Sequence, residues 1–181
     1  MQKKVHILAL AGSLREKSYN RSLLNIAKET APSHCQIEIF DLKEIPIYNQ
    51  DLEKSLPPAV SLFKEKIRAA DAILMAVPEY NYSISGVLKN AIDWGSRPYG
   101  DNSWDNKPVA IMGASMGLLG TARAQYHLRQ VFVTLNMHAL NKPEVMIALA
   151  QDKFDEKGQL TDPGARKRIA DLVSALAAVC K

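Results

Sequence analysis

The chain has 181 residues, of which 47% are hydrophobic and 23% charged, a balance that can bury a core and excludes a disordered or collagen-like chain. The formal net charge is +4, but Lys and Arg are interspersed with Asp and Glu and form no basic stripe. We therefore expect a single domain over residues 1–181 that does not bind nucleic acid.

Cysteine, histidine and hydropathy patterns exclude several further classes of protein. Cys35 and Cys180 are far apart and form no Cys-x-x-Cys motif, and the four histidines show no metal-ligand spacing. No apolar run approaches the ~18 residues that span a bilayer, and no secretory signal is recognisable. The sequence thus predicts a cytoplasmic protein with no metal site and no membrane partner.

Short apolar runs that are typical of strands alternate with amphipathic helices through the whole chain. In order, the predicted elements are a strand at Val5–Ala11, a helix capped by Asn20 and ending near Glu29, a strand at Gln36–Leu42, a helix at Pro58–Ala70, a strand at Ala72–Val77, a helix at Val87–Trp94, a strand at Val109–Ala114, a helix ending near Thr134, a strand within His138–Leu149 and a helix from Asp162 to Val179. This alternation predicts an α/β fold with a parallel sheet between two layers of helices.

Parallel sheets of this kind bind ligands beyond the carboxyl ends of their strands. Three loops follow predicted strands at that edge: Ser13–Asn20, Pro78–Gly86 and Ser115–Gly120. We therefore expect any functional chemistry to lie in these loops.

The first loop has the residues of a monophosphate site. It opens a helix, whose first N–H groups attract anions, and Ser13 and Ser18 add hydroxyl donors, Asn20 an amide and Arg15 a guanidinium. It lacks the glycine patterns of a P-loop and of a dinucleotide site. A hydroxyl-rich turn that merely caps a helix remains the alternative.

The second and third loops suit a flat, polar ring. Tyr80 and Tyr82 can cover the face of such a ring, and Asn81 can pair with its polar edge. In the third loop, glycines let the backbone amides approach a ligand that becomes negatively charged. The alternative for the second loop is a turn whose tyrosines pack on their neighbours.

Taken together, three motifs resemble the NADPH-dependent FMN reductase family, and within it the bacterial quinone/chromate reductases. The motifs are Gly12-Ser13-Leu14-Arg15 with Ser18 and Asn20, then Pro78-Glu79-Tyr80-Asn81-Tyr82-Ser83, then Leu88-Lys89-Asn90-Ala91-Ile92-Asp93-Trp94. The likeness extends from about Val5 to Glu144. It implies a flavodoxin-like three-layer sandwich with a five-stranded parallel sheet of order 2-1-3-4-5 and FMN as the cofactor.

The resemblance also implies which residues hold FMN. They are Ser13, Arg15, Ser18, Tyr19 and Asn20 around the phosphate, and Pro78, Glu79, Tyr80, Asn81, Tyr82, Ser115 and Gly117 around the ring. Two positions depart from the family pattern. Ser85 stands where relatives often have proline, which predicts a less rigid second loop, and Thr121 follows Gly120 where a second glycine is frequent.

The implied reaction is a ping-pong exchange. NADPH or NADH gives a hydride to FMN N5 and leaves, and a quinone then accepts two electrons in the same crevice; chromate, azo dyes and free flavin are further implied acceptors. Because the flavin carries the hydride, we predict no catalytic side chain. The family also implies homodimers or homotetramers.

Two rival functions remain open at this point: a flavodoxin-type electron carrier and a binding module that has lost its flavin. The pI of about 9.0 and Arg15 favour the enzyme, because such carriers tend to be acidic and to lack an arginine in the phosphate loop. Arg123, Tyr126 and Arg129 share one predicted helix, and they could serve either a subunit interface or the nucleotide.

Overall fold

The computed structural model describes residues 4–180, and its helices and strands follow the predicted order. The elements are β1 (Val5–Ala11), α1 (Tyr19–Thr30), β2 (Cys35–Phe40), α2 (Pro58–Ala69), β3 (Ala72–Ala76), β4 (Glu79–Tyr80), β5 (Ser83–Ile84), α3 (Gly86–Gly95), β6 (Pro108–Ala114), α4 (Ala122–Leu135), β7 (His138–Ala139), β8 (Val145–Ile147) and α5 (Pro163–Ala178). Most of the predicted bounds lie within two residues of these.

The main sheet is parallel, with the order β2-β1-β3-β6 followed by a fifth position that β7 and β8 share. This confirms the predicted order 2-1-3-4-5. The last strand was predicted as one element but is split in two, both halves pairing with β6. Pro143 lies between the halves, and a proline has no N–H to donate to a sheet.

Helices cover both faces of the sheet, because successive side chains of a strand point to opposite sides. Ile7 and Ala9 of β1 pack with α1 and α5, whereas Leu8 and Leu10 pack with α2, α3 and α4. A strand buried on both faces needs a continuous apolar run, which β1 has from Ile7 to Ala11. The predicted three-layer sandwich is thus confirmed.

None of the helices within residues 4–180 combines the length and the apolar character of a transmembrane span. Over the same residues, no three His, Cys, Asp or Glu side chains come together as a metal-ligand set.

Candidate functional site

A cavity of about 510 Å³ opens where the three predicted loops meet, at the carboxyl ends of β1, β3 and β6. These strands are neighbours in the sheet, so their following loops share one edge. All twelve residues predicted to hold the cofactor line the cavity, and Ala114, Met116 and Arg123 complete the lining. A volume of this size lies within the range of small-molecule and cofactor sites.

The first loop presents hydroxyl groups and the start of a helix to the cavity. Ser13 and Ser18 are buried, and the Arg15 N–H lies 3.4 Å from Ser13 Oγ, while the Arg15 side chain is exposed. Tyr19 and Asn20 are the first two residues of α1 and line the cavity. The N–H groups of a helix's first turn have no partner within the helix, so this end attracts an anion.

Asn20 does not cap α1 as the sequence predicted. The capping position is Ser18, whose side chain makes no capping hydrogen bond. The buried Asn20 amide instead bonds the backbone of Ala114 in both directions: Nδ2 donates to the carbonyl and Oδ1 accepts from the N–H, each at 3.0 Å. Asn20 therefore joins the first loop to the end of β6, using its amide oxygen and one of the two hydrogens on Nδ2, and it also lines the cavity.

The second loop is a β-hairpin. Strands β4 and β5 pair antiparallel, and the two residues between them, Asn81 and Tyr82, have φ of +50° and +65°. Positive φ at both positions is the pattern of a two-residue type I′ turn, in which asparagine is favoured and tyrosine is unusual. Tyr80 and Tyr82 are 51% and 68% exposed, so the hairpin holds two aromatic rings at the cavity mouth.

Helix α4 anchors this hairpin. Glu79 Oε2 accepts a hydrogen bond of 3.1 Å from the Ala124 N–H, and Ser83 Oγ lies 2.7 Å from His127 Nδ1. The Arg123 guanidinium lies over the Tyr82 ring, 3.7 Å from its centroid. The carboxylate of Glu79 is thus engaged with the start of α4.

Arg123 was not among the predicted cofactor-binding residues, and the structure separates it from its two neighbours on α4. Arg123 lines the cavity, whereas Tyr126 Oη donates to Glu144 at 3.2 Å and Arg129 donates to the Leu140 carbonyl at 2.7 Å. The sequence feature that could have indicated Arg123 as a cavity residue is its position at the start of the helix after the third loop. That place alone could not show that its side chain turns toward the hairpin.

Ser85 links the second loop to the first. Its hydroxyl donates to the Gly12 carbonyl at 2.6 Å and accepts from the Leu88 N–H at 3.2 Å, which caps α3. The serine was expected to make this loop less rigid. The serine supplies a buried hydrogen bond that a proline could not donate, and the lower rigidity stays a prediction.

The third loop is held by packing and hydrogen bonds behind the cavity. Thr121 has φ of +73° and is fully buried, and its Oγ1 accepts from Gln125 Nε2 at 3.1 Å. A Cβ added at Gly113 would lie 1.9 Å from this oxygen, so the threonine occupies the space that the glycine leaves. The Ser115 N–H donates to the Ile147 carbonyl at 3.0 Å, which fixes the loop against β8.

A second, shallower cavity of about 390 Å³ adjoins the first. Glu79, Ser115, Gly117 and Arg123 line both cavities, and exposed Leu118 and Leu119 complete the second one. Arg123 therefore stands where the two cavities meet.

Relatives of known activity share most of the chain's length. It is 53% identical over 177 residues to an NAD(P)H-dependent FMN reductase of Pseudomonas aeruginosa, covering 97% of this chain and 95% of the relative. It is 45% identical over 185 residues to an NAD(P)H:quinone oxidoreductase of Solanum tuberosum, covering 98% and 94%.

A solved structure shows the same architecture. The flavoenzyme FerB, an NAD(P)H:(acceptor) oxidoreductase of Paracoccus denitrificans, superposes with a TM-score of 0.88 and 34% identity over 96% of each chain. The family model for NADPH-dependent FMN reductase matches residues 5–152. The chain therefore belongs to the NADPH-dependent FMN reductase family, which confirms the predicted enzyme class and its FMN and nicotinamide cofactors.

Proposed function

We propose that the protein is an FMN-dependent NAD(P)H oxidoreductase with quinone acceptors, and that nucleotide and quinone use one cavity in turn. The observation that carries this proposal is the convergence of three loops, far apart in sequence, on one cavity of about 510 Å³. The family of the chain and the activities named for its relatives support the same reaction class.

The residues at the start of α1 suit the phosphate of FMN. Ser13 and Ser18 offer hydroxyl groups, the helix start offers N–H groups, and Arg15 offers a planar, permanently charged donor. Asn20 holds α1 against Ala114 through its amide oxygen and one Nδ2 hydrogen, and its second Nδ2 hydrogen is the donor that we propose for the phosphate. We infer that the phosphate binds without a metal ion, because these donors can hydrogen-bond its oxygens and one of them is positively charged.

The residues on the other side suit the flavin ring. Tyr80 and Tyr82 provide exposed aromatic surface at the mouth of the cavity. Facing the cavity from the third loop, Gly117 has open space around it, since an added Cβ would meet only Ser115 Oγ, at 3.8 Å. The backbone there can approach a polar ring edge.

When bound, FMN supplies the two-electron redox chemistry. The protein's own residues position the reactants and supply charge. Glu79 is the one carboxylate in the cavity lining of the described chain, and its oxygens face the Ala124 N–H and Arg123. Accordingly we assign no side chain as a general acid or base.

Rapid mixing of the FMN-loaded protein with NADPH tests the proposal. The flavin absorbance should bleach within the turnover time, and added quinone should restore it. An electron carrier without substrate turnover would keep its yellow colour, and that outcome would contradict the proposed activity. Double-reciprocal plots of the initial rate against NADPH concentration, measured at several quinone concentrations, should be parallel lines. Intersecting lines would contradict the alternate use of one cavity.

The range of acceptors and the assembly are further parts of the proposal. Chromate, azo dyes and free flavin are proposed acceptors, to be compared with quinones in steady-state assays with each nucleotide. A homodimer or homotetramer is the proposed assembly, and light scattering of the purified protein measures it.

A further inference from the structure

Arg123 is the cationic side chain nearest the aromatic hairpin. It is the second residue of α4, its side chain is 43% exposed, and its guanidinium lies over the Tyr82 ring. Stacking on an aromatic face holds a guanidinium in place while its N–H groups, which lie in its own plane, still point outward. The group is thus fixed in position and open at its edge.

Arg123 forms a long ion pair with Glu79 but makes no hydrogen bond with it. Its Nη1 lies 3.6 Å from Glu79 Oε1, which is longer than the 2.7–2.9 Å of a charge-assisted hydrogen bond. Glu79 instead accepts from the Ala124 N–H through its other oxygen. Within residues 4–180, no protein acceptor takes a hydrogen bond from the Arg123 guanidinium.

Two cations and one carboxylate of the described residues line the two adjoining cavities. Arg15 and Arg123 are the cations in the described lining, and Glu79 is the carboxylate. Arg15 belongs to the first loop, where we place the phosphate of FMN. Arg123 then remains as the cation beside the tyrosines, next to the apolar surface of Leu118 and Leu119.

A flat apolar surface with one cation at its edge matches an aromatic molecule that bears an anionic group. We propose that Arg123 is a specificity-determining residue that favours quinone acceptors carrying an anionic substituent, such as an ionised hydroxyl or a sulfonate. This inference rests on the quinone reductase activity proposed above and adds the charge of the preferred acceptor. A nucleotide phosphate has the same anionic chemistry, so the test must separate acceptor from nucleotide.

The test compares two naphthoquinones at a fixed concentration of NADH, one with a sulfonate and one with an uncharged methyl group. The ratio of their kcat/KM values, anionic over neutral, should fall about tenfold in Arg123→Gln, because one charged hydrogen-bonding group is lost. Arg123→Lys should keep part of the preference. Arg166→Gln, which removes a charge that pairs with Glu29 outside both cavities, should leave the ratio unchanged.

A binding measurement provides a readout that needs no turnover. Naphthalene sulfonate, which is not reduced, should bind the FMN-loaded wild type by calorimetry and bind Arg123→Gln about tenfold more weakly. If Arg123→Gln does not retain FMN, the salt dependence of the wild-type activity takes the place of the variant. Added salt should then lower the wild-type kcat/KM for the sulfonated quinone more than for the neutral one.

Several results would overturn the inference. An unchanged ratio in Arg123→Gln, equal losses for both quinones, or equal salt effects on both in the wild type would each do so. A shift in the NADPH-to-NADH preference without a shift in the acceptor ratio would assign Arg123 to the nucleotide instead. Failure of the wild type to reduce either quinone would contradict the proposed function itself, which is a different outcome.

Discussion

The side-chain amide of Asn20 and the backbone of Ala114, which lie 94 positions apart in the sequence, are joined by two hydrogen bonds of 3.0 Å. One bond runs in each direction, so the amide satisfies both the N–H and the carbonyl of a residue at the end of β6. The start of α1 is therefore tied to the end of β6, from which the third loop begins. This relationship yields a stability prediction.

We expect Asn20→Asp to lower the free energy of unfolding by about 2–4 kcal/mol, as measured by urea denaturation. The buried carboxylate would face the Ala114 carbonyl with no hydrogen to donate, and it would lose its hydration as well. Asn25→Asp is the matched control, because Asn25 is exposed on the same helix and should change stability by about 0.5 kcal/mol or less. Equal effects of the two substitutions would contradict the assigned role of Asn20.

Arg15→Ala should raise the Kd for FMN about ten- to a hundredfold, since one charged hydrogen-bonding group is lost. Titration of the flavin-free protein, followed by quenching of flavin fluorescence, measures this Kd. Riboflavin lacks the phosphate, and the variant should bind it as well as the wild type does. Lys17→Ala removes an exposed charge of the same loop that does not line the cavity, and it should leave the FMN Kd within about twofold.

A similar loss of riboflavin affinity in Arg15→Ala would show that the arginine acts on the ring or on the fold. An unchanged FMN affinity would place the phosphate away from the first loop.

Gly113→Ala should lower the free energy of unfolding by about 2–3 kcal/mol, because the new Cβ would overlap both Thr121 Oγ1 and the Val77 carbonyl. Adding Thr121→Gly removes the first of these overlaps, and the double variant should recover part of the loss. Gly86→Ala is the control, since an added Cβ there meets nothing within 4 Å and α3 begins at this residue. Denaturant-induced unfolding measures both variants. If Gly113→Ala and Gly86→Ala unfold at the same midpoint concentration of denaturant, the packing of Thr121 over Gly113 is contradicted.

The stability contributed by Asp162 should depend on pH. Asp162 caps α5, and the hydrogen bond from the Ala165 N–H holds the pKa of its carboxyl below the usual value against an opposing effect of burial. Because the pKa is lower in the folded state, this contribution is full above the unfolded pKa of about 4 and is lost as the pH falls through the folded pKa.

Asp162→Asn keeps a capping oxygen that does not titrate. At pH 7 the wild type should be more stable than this variant by about 0.3–1 kcal/mol, the usual effect of an anion at a helix start. The difference should shrink as the pH is lowered below about 4, and urea denaturation at several pH values measures it. A difference that stays constant over this range would contradict the assigned cap.

Local patterns in the sequence determined the layers of the fold. The apolar run of β1 predicted a strand buried on both faces. Alternate residues of this strand do pack against the helices on opposite sides of the sheet. The loop after each central strand was likewise predictable, because parallel strands align their carboxyl ends. For this reason all twelve predicted binding residues line one cavity.

The partners of individual polar groups were decided only by the tertiary structure. The sequence predicted Asn20 as a helix cap, whereas in the fold the Asn20 amide bonds Ala114, the Ser85 hydroxyl bonds Gly12, and the second loop forms a hairpin. Periodicity and propensity act over a few neighbouring residues. Which donor meets which acceptor across 94 or 73 positions depends on the path of the whole chain, and that path also brings Arg123 over Tyr82.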